Sequence, residues 1–406
     1  MKKLEDIKNL KNVKTLVVAN HIYEFFLLTS ALKLLSLTPD QKFSMHLLVK
    51  PKVASKIPED FKKLYEEIIV CDFPYNPLFQ AKDRTPKEMV RTLYYIFYKQ
   101  FKDSIVFRKK IQSLKKHNFD LIVISSFREY FANIIMRHLS PVPAIVLAID
   151  NERMESGYRR LRMMTSLVAN IFNRIFGYSA MKYRWHNEYK NVMGSRFTKS
   201  PYSKTLFIQN SSSGSGIPNP FSPSLFPSTE GSSDTRKKIL IVGERAPIGP
   251  DWNYKGTKPS IDSISHKKYL EFLDYMRKEF SDCKIYFKPR KEYTDVSTLD
   301  LSGFEVIEKE QTLEEIMLQT HYYKIISIKS TASKIGSCFG YPSYSIFPFL
   351  QLSPQVSRHF HDFFADSPNV KMVERLEQLK EDITLSVPSV EELAQKYRSA
   401  IYETKE

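Results

Sequence analysis

Residues 238–243 read Lys-Ile-Leu-Ile-Val-Gly, and they directly follow a stretch from Pro201 to Thr235 in which apolar periodicity disappears. That stretch holds Ser211-Ser212-Ser213-Gly214-Ser215-Gly216, then Pro218, Pro220, Pro223 and Pro227, then Ser232-Ser233. Such Ser/Gly/Pro enrichment without an apolar face marks a connector. A short apolar run ending in glycine immediately after a connector is a buried strand opening a new unit. The chain therefore starts over at Lys238, and the two halves are read as separate α/β domains.

Downstream of Lys238 the rhythm continues with a helix near Lys267–Phe280, then strands at 283–287 and 304–308. Thr312-Leu313-Glu314-Glu315 has capping-box spacing. A strand at 323–328, a helix at 330–339 and a strand at 344–347 follow, and Ser389-Val390-Glu391-Glu392 opens a closing helix. Upstream, Thr15-Leu16-Val17-Val18 leads through Asn20-His21 into a helix reaching Leu37. His46-Leu47-Leu48-Val49, Ile68-Ile69-Val70, Asp120–Ser125 and Ala144–Ile149 read as further strands, with a helix at Tyr130–Leu139. Apolar strands alternating with helices predict parallel sheets covered on both faces. The fold expectation is α/β, with two Rossmann-like doubly wound domains facing a cleft. Residues 1–210 form the N-terminal domain, 211–235 a linker and 236–387 the C-terminal domain. Residues 388–406 form a C-terminal helix crossing back.

Composition bounds the function. A chain of 406 residues exceeds what one core usually accommodates, and 42% hydrophobic residues suffice for two. The excess of 61 Lys and Arg over 45 Asp and Glu gives a formal charge of +16, which suits an anionic partner. No nucleic-acid-binding motif accompanies that charge, so nucleic acid is not an expected partner. Peripheral contact with an anionic membrane is. Three scattered cysteines, Cys71, Cys283 and Cys338, make neither a disulfide framework nor a zinc motif and point to a reducing compartment. With no signal peptide and no long apolar run, the expected location is cytoplasmic, peripheral on the inner face of the cell membrane.

Ligands of open parallel sheets bind beyond the carboxyl ends of the strands, so residues just after each strand carry the candidate chemistry. Ser330 and Thr331 stand at the start of a helix after a strand, where free N–H groups and the helix dipole favour phosphate. The same residues would serve equally as an N-cap. Lys288-Pro289-Arg290 brackets a rigid residue with two cations suited to phosphate or carboxylate. Glu244 and Arg245 follow the strand at 238–243 and would either contact a bound ligand or line the cleft. In the first half, Asp150, Glu152 and Glu155 crowd the turn after a strand, and any of the three could act as a general base; His21, after the first strand, is a further candidate. No Asp-x-Asp pair, His-Glu-x-x-His, Cys-x-x-Cys or P-loop occurs, so neither a metal nor a separate cofactor is expected.

In sequence, the stretch from Ile239 to Val373 resembles the bacterial polysialyltransferase and lipooligosaccharide sialyltransferase families. Ile285-Tyr286-Phe287-Lys288-Pro289 stands where those families have an apolar strand followed by lysine-proline-histidine-proline. Ser330-Thr331-Ala332-Ser333, then Gly340–Ile346, resembles their serine/threonine motif with its helix and next strand; Ser367–Lys371 resembles the segment after it. More faintly, Val18-Ala19-Asn20-His21 and Ile149–Tyr158 match the first half, the latter covering the families' acidic-acidic-glycine motif as Asp150-Asn151-Glu152 or Glu155-Ser156-Gly157. Two departures stand out: Arg290 lies at or beside the histidine position, and the acidic motif matches imperfectly. The resemblance implies a GT-B fold and an inverting, metal-independent transfer of sialic acid or a related acid sugar from a CMP-activated donor. The acceptor would be a cell-surface glycan or glycolipid of capsule or lipooligosaccharide. The departures also leave room for a catalytically impaired accessory protein that binds nucleotide sugar or glycan.

Overall fold

The computed structural model describes residues 4–37, 41–73, 100–125, 130–139, 142–149, 203–209, 217–220, 225, 235–243, 264–289, 299–308, 311–328, 330–338, 340–352, 354–364, 367, 369–383, 385 and 388–402. The chain divides into two compact units, Met1–Ile208 with Glu391–Glu406 and Gln209–Val390.

The first sheet holds β1 (Asn12–Ala19), β2 (Lys42–Val49), β3 (Glu67–Val70), β4 (Leu121–Ile124), β5 (Ala144–Ile149) and β6 (Ser203–Gln209), and takes as its last strand β7 (Ile217–Pro218), which lies past Ile208 in the chain. Their order in the sheet is β3-β2-β1-β4-β5-β6-β7. β1 runs parallel to β2 from Asn12 opposite Lys42 to Ala19 opposite Val49, and parallel to β4 from Thr15 opposite Leu121 to Val18 opposite Ile124. The helix Ile22–Ser36 follows β1 and is buried over most of its circumference, including Phe25, Phe26, Leu28, Leu32 and Leu35. A helix apolar all round belongs inside a core. Phe25 and Phe26 meet Phe61 edge-on, with ring centroids 6.1 and 5.4 Å apart. The closing helix Val390–Tyr402 belongs to this unit: Tyr402 donates to Gln41 Oε1 at 3.0 Å, and Gln41 Nε2 donates to the Ile7 and Leu10 carbonyls.

The second unit holds β8 (Lys238–Val242), β9 (Lys284–Lys288), β10 (Glu305–Val306), β11 (Lys324–Ser327), β12 (Ser343–Ser345) and β13 (Val370–Met372), in the order β10-β9-β8-β11-β12-β13. Counted from the first strand of the unit, this is the 3-2-1-4-5-6 order of the Rossmann fold. One core of this unit gathers Ile239 and Ile241 of β8 with Phe272 and Met276 of the helix Ile264–Glu279, and with Phe287, Ile326, Tyr344 and Phe347. The helix Thr331–Cys338 packs close against the sheet because of Gly336, where a Cβ would come within 2.7 Å of Ile325 Cδ1 and 2.9 Å of Ser343 Oγ. The chain then turns at Gly340, whose φ of +83° suits glycine.

Two doubly wound, parallel, Rossmann-like sheets in tandem make the α/β architecture expected of a GT-B chain. Some elements differ from the sequence reading. The expected linker contributes β7 to the first sheet, and β6, just before it, lies in a region read as losing its periodicity. The run Thr205-Leu206-Phe207-Ile208 carried that strand, overshadowed by the flanking prolines and serines. The helices Gln100–Ser113 and Pro354–Phe364 were not read at all, since charged and polar residues interrupt their apolar spacing.

Candidate functional site

In each doubly wound sheet, the two strands flanking the reversal of order leave a crevice at their carboxyl ends. These strands are β1 and β4 in the first unit, β8 and β11 in the second.

At the second unit's switch point β8 ends at Val242-Gly243, and the Gly243 N–H donates to the Lys288 carbonyl at 2.9 Å. A Cβ at Gly243 would come within 2.7 Å of Phe287 Cζ, so the strand ends β8 and β9 close on each other only with glycine there. Across the reversal, β11 leads through Ile328 to Ser330 and the helix Thr331–Cys338. Ser330 Oγ accepts from the Ala332 N–H at 3.1 Å, so it caps this helix. Its own O–H proton remains a donor that this bond does not consume. Beneath it, the Ser327 and Ser333 hydroxyls lie 2.6 Å apart, and Ser345 Oγ donates to the Ile328 carbonyl. These buried bonds fix the backbone that delivers Ser330. Lys288 closes β9 instead of following it: it is buried, and its Nζ donates to the Pro289 carbonyl at 3.0 Å.

At the first unit's switch point β1 delivers Asn20 and His21 to the start of the helix Ile22–Ser36. The carboxylate of Glu24, one turn into that helix, reaches back: Oε2 accepts from the Asn20 N–H at 2.7 Å and from the His21 N–H at 3.2 Å. His21 itself is exposed, and its Nε2 lies 3.1 Å from Asn20 Nδ2, within hydrogen-bond distance. Lys50, at the end of β2, and Ser125, at the end of β4, approach the same carboxylate. Burial pushes Glu24 above the ordinary carboxylate value; the Asn20 N–H, the Ser125 hydroxyl, the His21 N–H and the Lys50 charge pull it back only in part. The Ser125 hydroxyl is near enough to act on this carboxylate electrostatically, yet it lacks hydrogen-bond geometry to any described residue. Asn20 Oδ1 is likewise buried without a hydrogen-bond partner among the described residues. Two buried polar atoms left unpaired beside a carboxylate of raised pKa form the kind of group that a hydroxyl-bearing ligand would satisfy.

Of the sequence-predicted residues, His21, Lys288, Ser330 and the backbone of Thr331 fall in described segments at these strand ends. Asp150, Glu152, Glu155, Glu244, Arg245 and Arg290 lie outside the described residues. Sequence reading missed Glu24, Asn20 as a side chain, Lys50 and Ser125. A signal for Glu24 was present, since a carboxylate at the third helical position after a strand end is capping-box spacing. Among the described residues, no group of His, Cys, Asp or Glu with metal-ligand spacing stands at either switch point. Burial holds the Cys71 thiol up at about 12 and the Cys283 thiol at about 11, so neither is a ready nucleophile at neutral pH. No helix among the described residues is long and apolar enough to cross a membrane.

No family model matches the chain, and no curated protein matches it by sequence. Solved structures resemble it along nearly its full length. The UDP-GlcNAc 2-epimerase of Neisseria meningitidis bound to UDP-GlcNAc shares 13% identity over 96% of this chain and 97% of that one, with a TM-score of 0.45. The glycosyltransferase VinC in complex with dTDP shares 12% over 96% and 91%, with a TM-score of 0.40. The ADP-heptose LPS heptosyltransferase II of E. coli shares 12% over 96% and 98%, with a TM-score of 0.38. Likeness at such identities concerns chain architecture, and the fold assignment stands on the strand orders.

Proposed function

We propose that the chain is a glycosyltransferase that takes a sugar from a nucleotide-sugar donor, with the donor phosphate held at the switch point of the second sheet and the acceptor hydroxyl at that of the first. The observation that carries this reading is the carboxylate of Glu24 among Asn20 Oδ1 and Ser125 Oγ, two buried polar atoms without hydrogen-bond partners among the described residues. The acceptor hydroxyl donates its one proton to a carboxylate whose basicity burial has raised and accepts from the Ser125 hydroxyl, while Asn20 Oδ1 accepts from a neighbouring hydroxyl of the same sugar. In the second unit, the donor phosphate is met by the N–H groups opening the helix Thr331–Cys338, the hydroxyl protons of Ser330 and Thr331, and the charge of Arg290. Glu244 and Arg245, next in sequence after β8, are further candidates for the same role.

In the proposed displacement the acceptor oxygen forms a bond to the anomeric carbon while the bond from that carbon to the phosphate oxygen breaks. The acceptor proton goes to the carboxylate and the electron pair leaves with the nucleotide, so the anomeric configuration inverts. Positive charge for the leaving phosphate comes from protein groups, and no metal is required. The resemblance to sialyltransferases supports CMP as the nucleotide, sialic acid or a related acid sugar as cargo, and a capsular or lipooligosaccharide glycan as acceptor. It also supports Asp150, Glu152 or Glu155 as alternative bases and peripheral work at an anionic inner membrane surface. An accessory protein that binds the donor without transferring it is the second reading, favoured by Arg290 standing at or next to the position where the resembling families keep a histidine.

The test is nucleotide release from CMP-, UDP-, ADP- and dTDP-sugars in the presence of EDTA with glycan acceptors. Release from a CMP-sugar supports the full reading, and release from another nucleotide sugar would keep the transferase and sink the CMP donor. Tight donor binding without release from any donor would favour the accessory reading.

A further inference from the structure

His46 lies midway along β2 with its side chain only 5% exposed, and neither Nδ1 nor Nε2 has a hydrogen-bond partner among the described residues. A buried imidazole with both nitrogens unpaired carries a desolvation cost that a ligand would relieve. Three side chains, two of them consecutive in sequence, surround it. Glu67 opens β3 directly opposite His46 in register, and its Oε2 stands 3.6 Å from His46 Nδ1. His117, in the turn before β4, places Nε2 3.8 Å from the same carboxylate oxygen. Glu66 Oε2 lies 3.3 Å from His46 Nε2, the other side of the ring.

We propose that His46, Glu67 and His117 bind one divalent transition-metal ion of the zinc class. One ligand atom from each of the three already falls within 4.8 Å of the others. Zinc bonds of about 2.0–2.2 Å in a tetrahedron set ligand atoms roughly 3.3 Å apart, so small side-chain movements complete the set. Two imidazoles and one carboxylate match zinc better than calcium or magnesium, which take oxygen ligands. Metal on His46 Nδ1 leaves Nε2–H to donate to Glu66, the carboxylate–histidine–metal arrangement that orients a ligand ring. Aromatic packing holds both rings: His117 stacks on Phe119 with centroids 5.5 Å apart, and His46 meets His117 and Phe119 at 5.4 and 5.3 Å. Lys14 and Lys116 oppose a cation near His117, and the two carboxylates offset them. Glu67 is half exposed, which leaves an entry path from solvent.

His46 stands three residues before Val49 along β2, roughly 10 Å from the strand's carboxyl end. The metal therefore ties β2, β3 and the approach to β4 together without entering the chemistry proposed at the switch point. No local motif joins positions 46, 67 and 117, which is why a search by spacing leaves the cluster unseen.

The experiment is calorimetric titration of the EDTA-stripped full-length chain with Zn²⁺, paralleled by Co²⁺ absorption, on wild type, Glu67→Gln, His117→Asn and Glu66→Gln. Wild type is expected to bind one equivalent with the visible bands of tetrahedral Co²⁺ and to gain thermal stability. Glu66→Gln should weaken binding ~10–100-fold, and loss of either direct ligand should weaken it at least as much. The two substituted ligand positions, Glu67 and His117, are partly exposed, so circular dichroism should report folded variants. Absence of saturable binding to wild type, or equal affinity in wild type, Glu67→Gln and His117→Asn, would overturn the proposal.

Discussion

The backbone N–H of Asn20 donates to Glu24 Oε2 at 2.7 Å, so the same carboxylate that caps the start of the helix Ile22–Ser36 also stands at the switch point of the first sheet. Capping and catalysis make different demands on it. A cap needs an acceptor oxygen, which glutamine also offers; a general base needs the basicity of a carboxylate. Glu24→Gln should therefore fold and bind donor normally while losing about 10²–10⁴-fold in turnover. Full turnover in this variant would leave Glu24 as a cap and return the role of base to Asp150, Glu152 or Glu155.

The pH dependence of stability provides a second reading of the same residue. Burial raises the folded-state pKa of Glu24 above its unfolded value, so between the two the folded chain holds more protons than the unfolded one. The stability contributed by the protonated form is fully present below the unfolded value and is lost as pH rises through the folded one. The melting temperature of Glu24→Gln should thus equal or exceed that of wild type at pH 7, with the gap narrowing as the solution is acidified. A variant markedly less stable than wild type at pH 7 would mean that the charged cap outweighs its desolvation.

Gly336→Ala tests how the donor-side helix is seated. The new methyl would meet Ile325 Cδ1 at 2.7 Å and Ser343 Oγ at 2.9 Å, both in the sheet beneath. Overpacking of this kind costs about 1–3 kcal/mol, read as a lowered urea midpoint with an unchanged slope. Nucleotide affinity should fall with it, because the helix start carrying Ser330 and Thr331 must shift outward. An unchanged midpoint would show that the helix can slide at no cost.

The first unit is closed by Gln41, buried between the chain's ends, where it donates to the Ile7 and Leu10 carbonyls and accepts from Tyr402. Gln41→Leu strands these groups at about 1–3 kcal/mol each, whereas Tyr402→Phe removes a single bond worth about 0.5–1.5 kcal/mol. Denaturant unfolding should rank the two variants in that order; the reverse order would contradict the bridging role of Gln41.

Much of this architecture was legible in the sequence. Ile239–Val242 is a continuous apolar run and Ile325–Ile328 one broken only by Ser327, because a parallel strand is buried on both faces, and Thr312 with Glu315 marks a helix start by a bond both residues make. Strands β6 and β7 were hidden because two to seven residues beside a Ser/Gly/Pro segment give too little periodicity to separate from a connector. Site chemistry was harder to read. Ser330 and Lys288 follow directly from a strand-then-loop pattern, but Ser125 and Lys50 join Glu24 only through strand order, and His46 meets His117 only across the sheet. Local spacing carries no information about such neighbours.

The central claim, that the second sheet's switch point holds a nucleotide phosphate, is tested most directly by calorimetric measurement of CMP affinity. Wild type would be compared with Ser330→Ala/Thr331→Ala and with Arg290→Ala, alongside UDP, ADP and dTDP as competitors. Loss of hydrogen bonds to a charged group costs about 1.5–3 kcal/mol, so the double variant should bind CMP roughly 10- to 150-fold more weakly while remaining folded. Arg290→Ala should nearly abolish binding, with Arg290→Lys retaining part of it. Saturable CMP binding that falls in this order is the predicted result. Absence of binding to all four nucleotides, or one affinity shared by wild type and every variant, would contradict it.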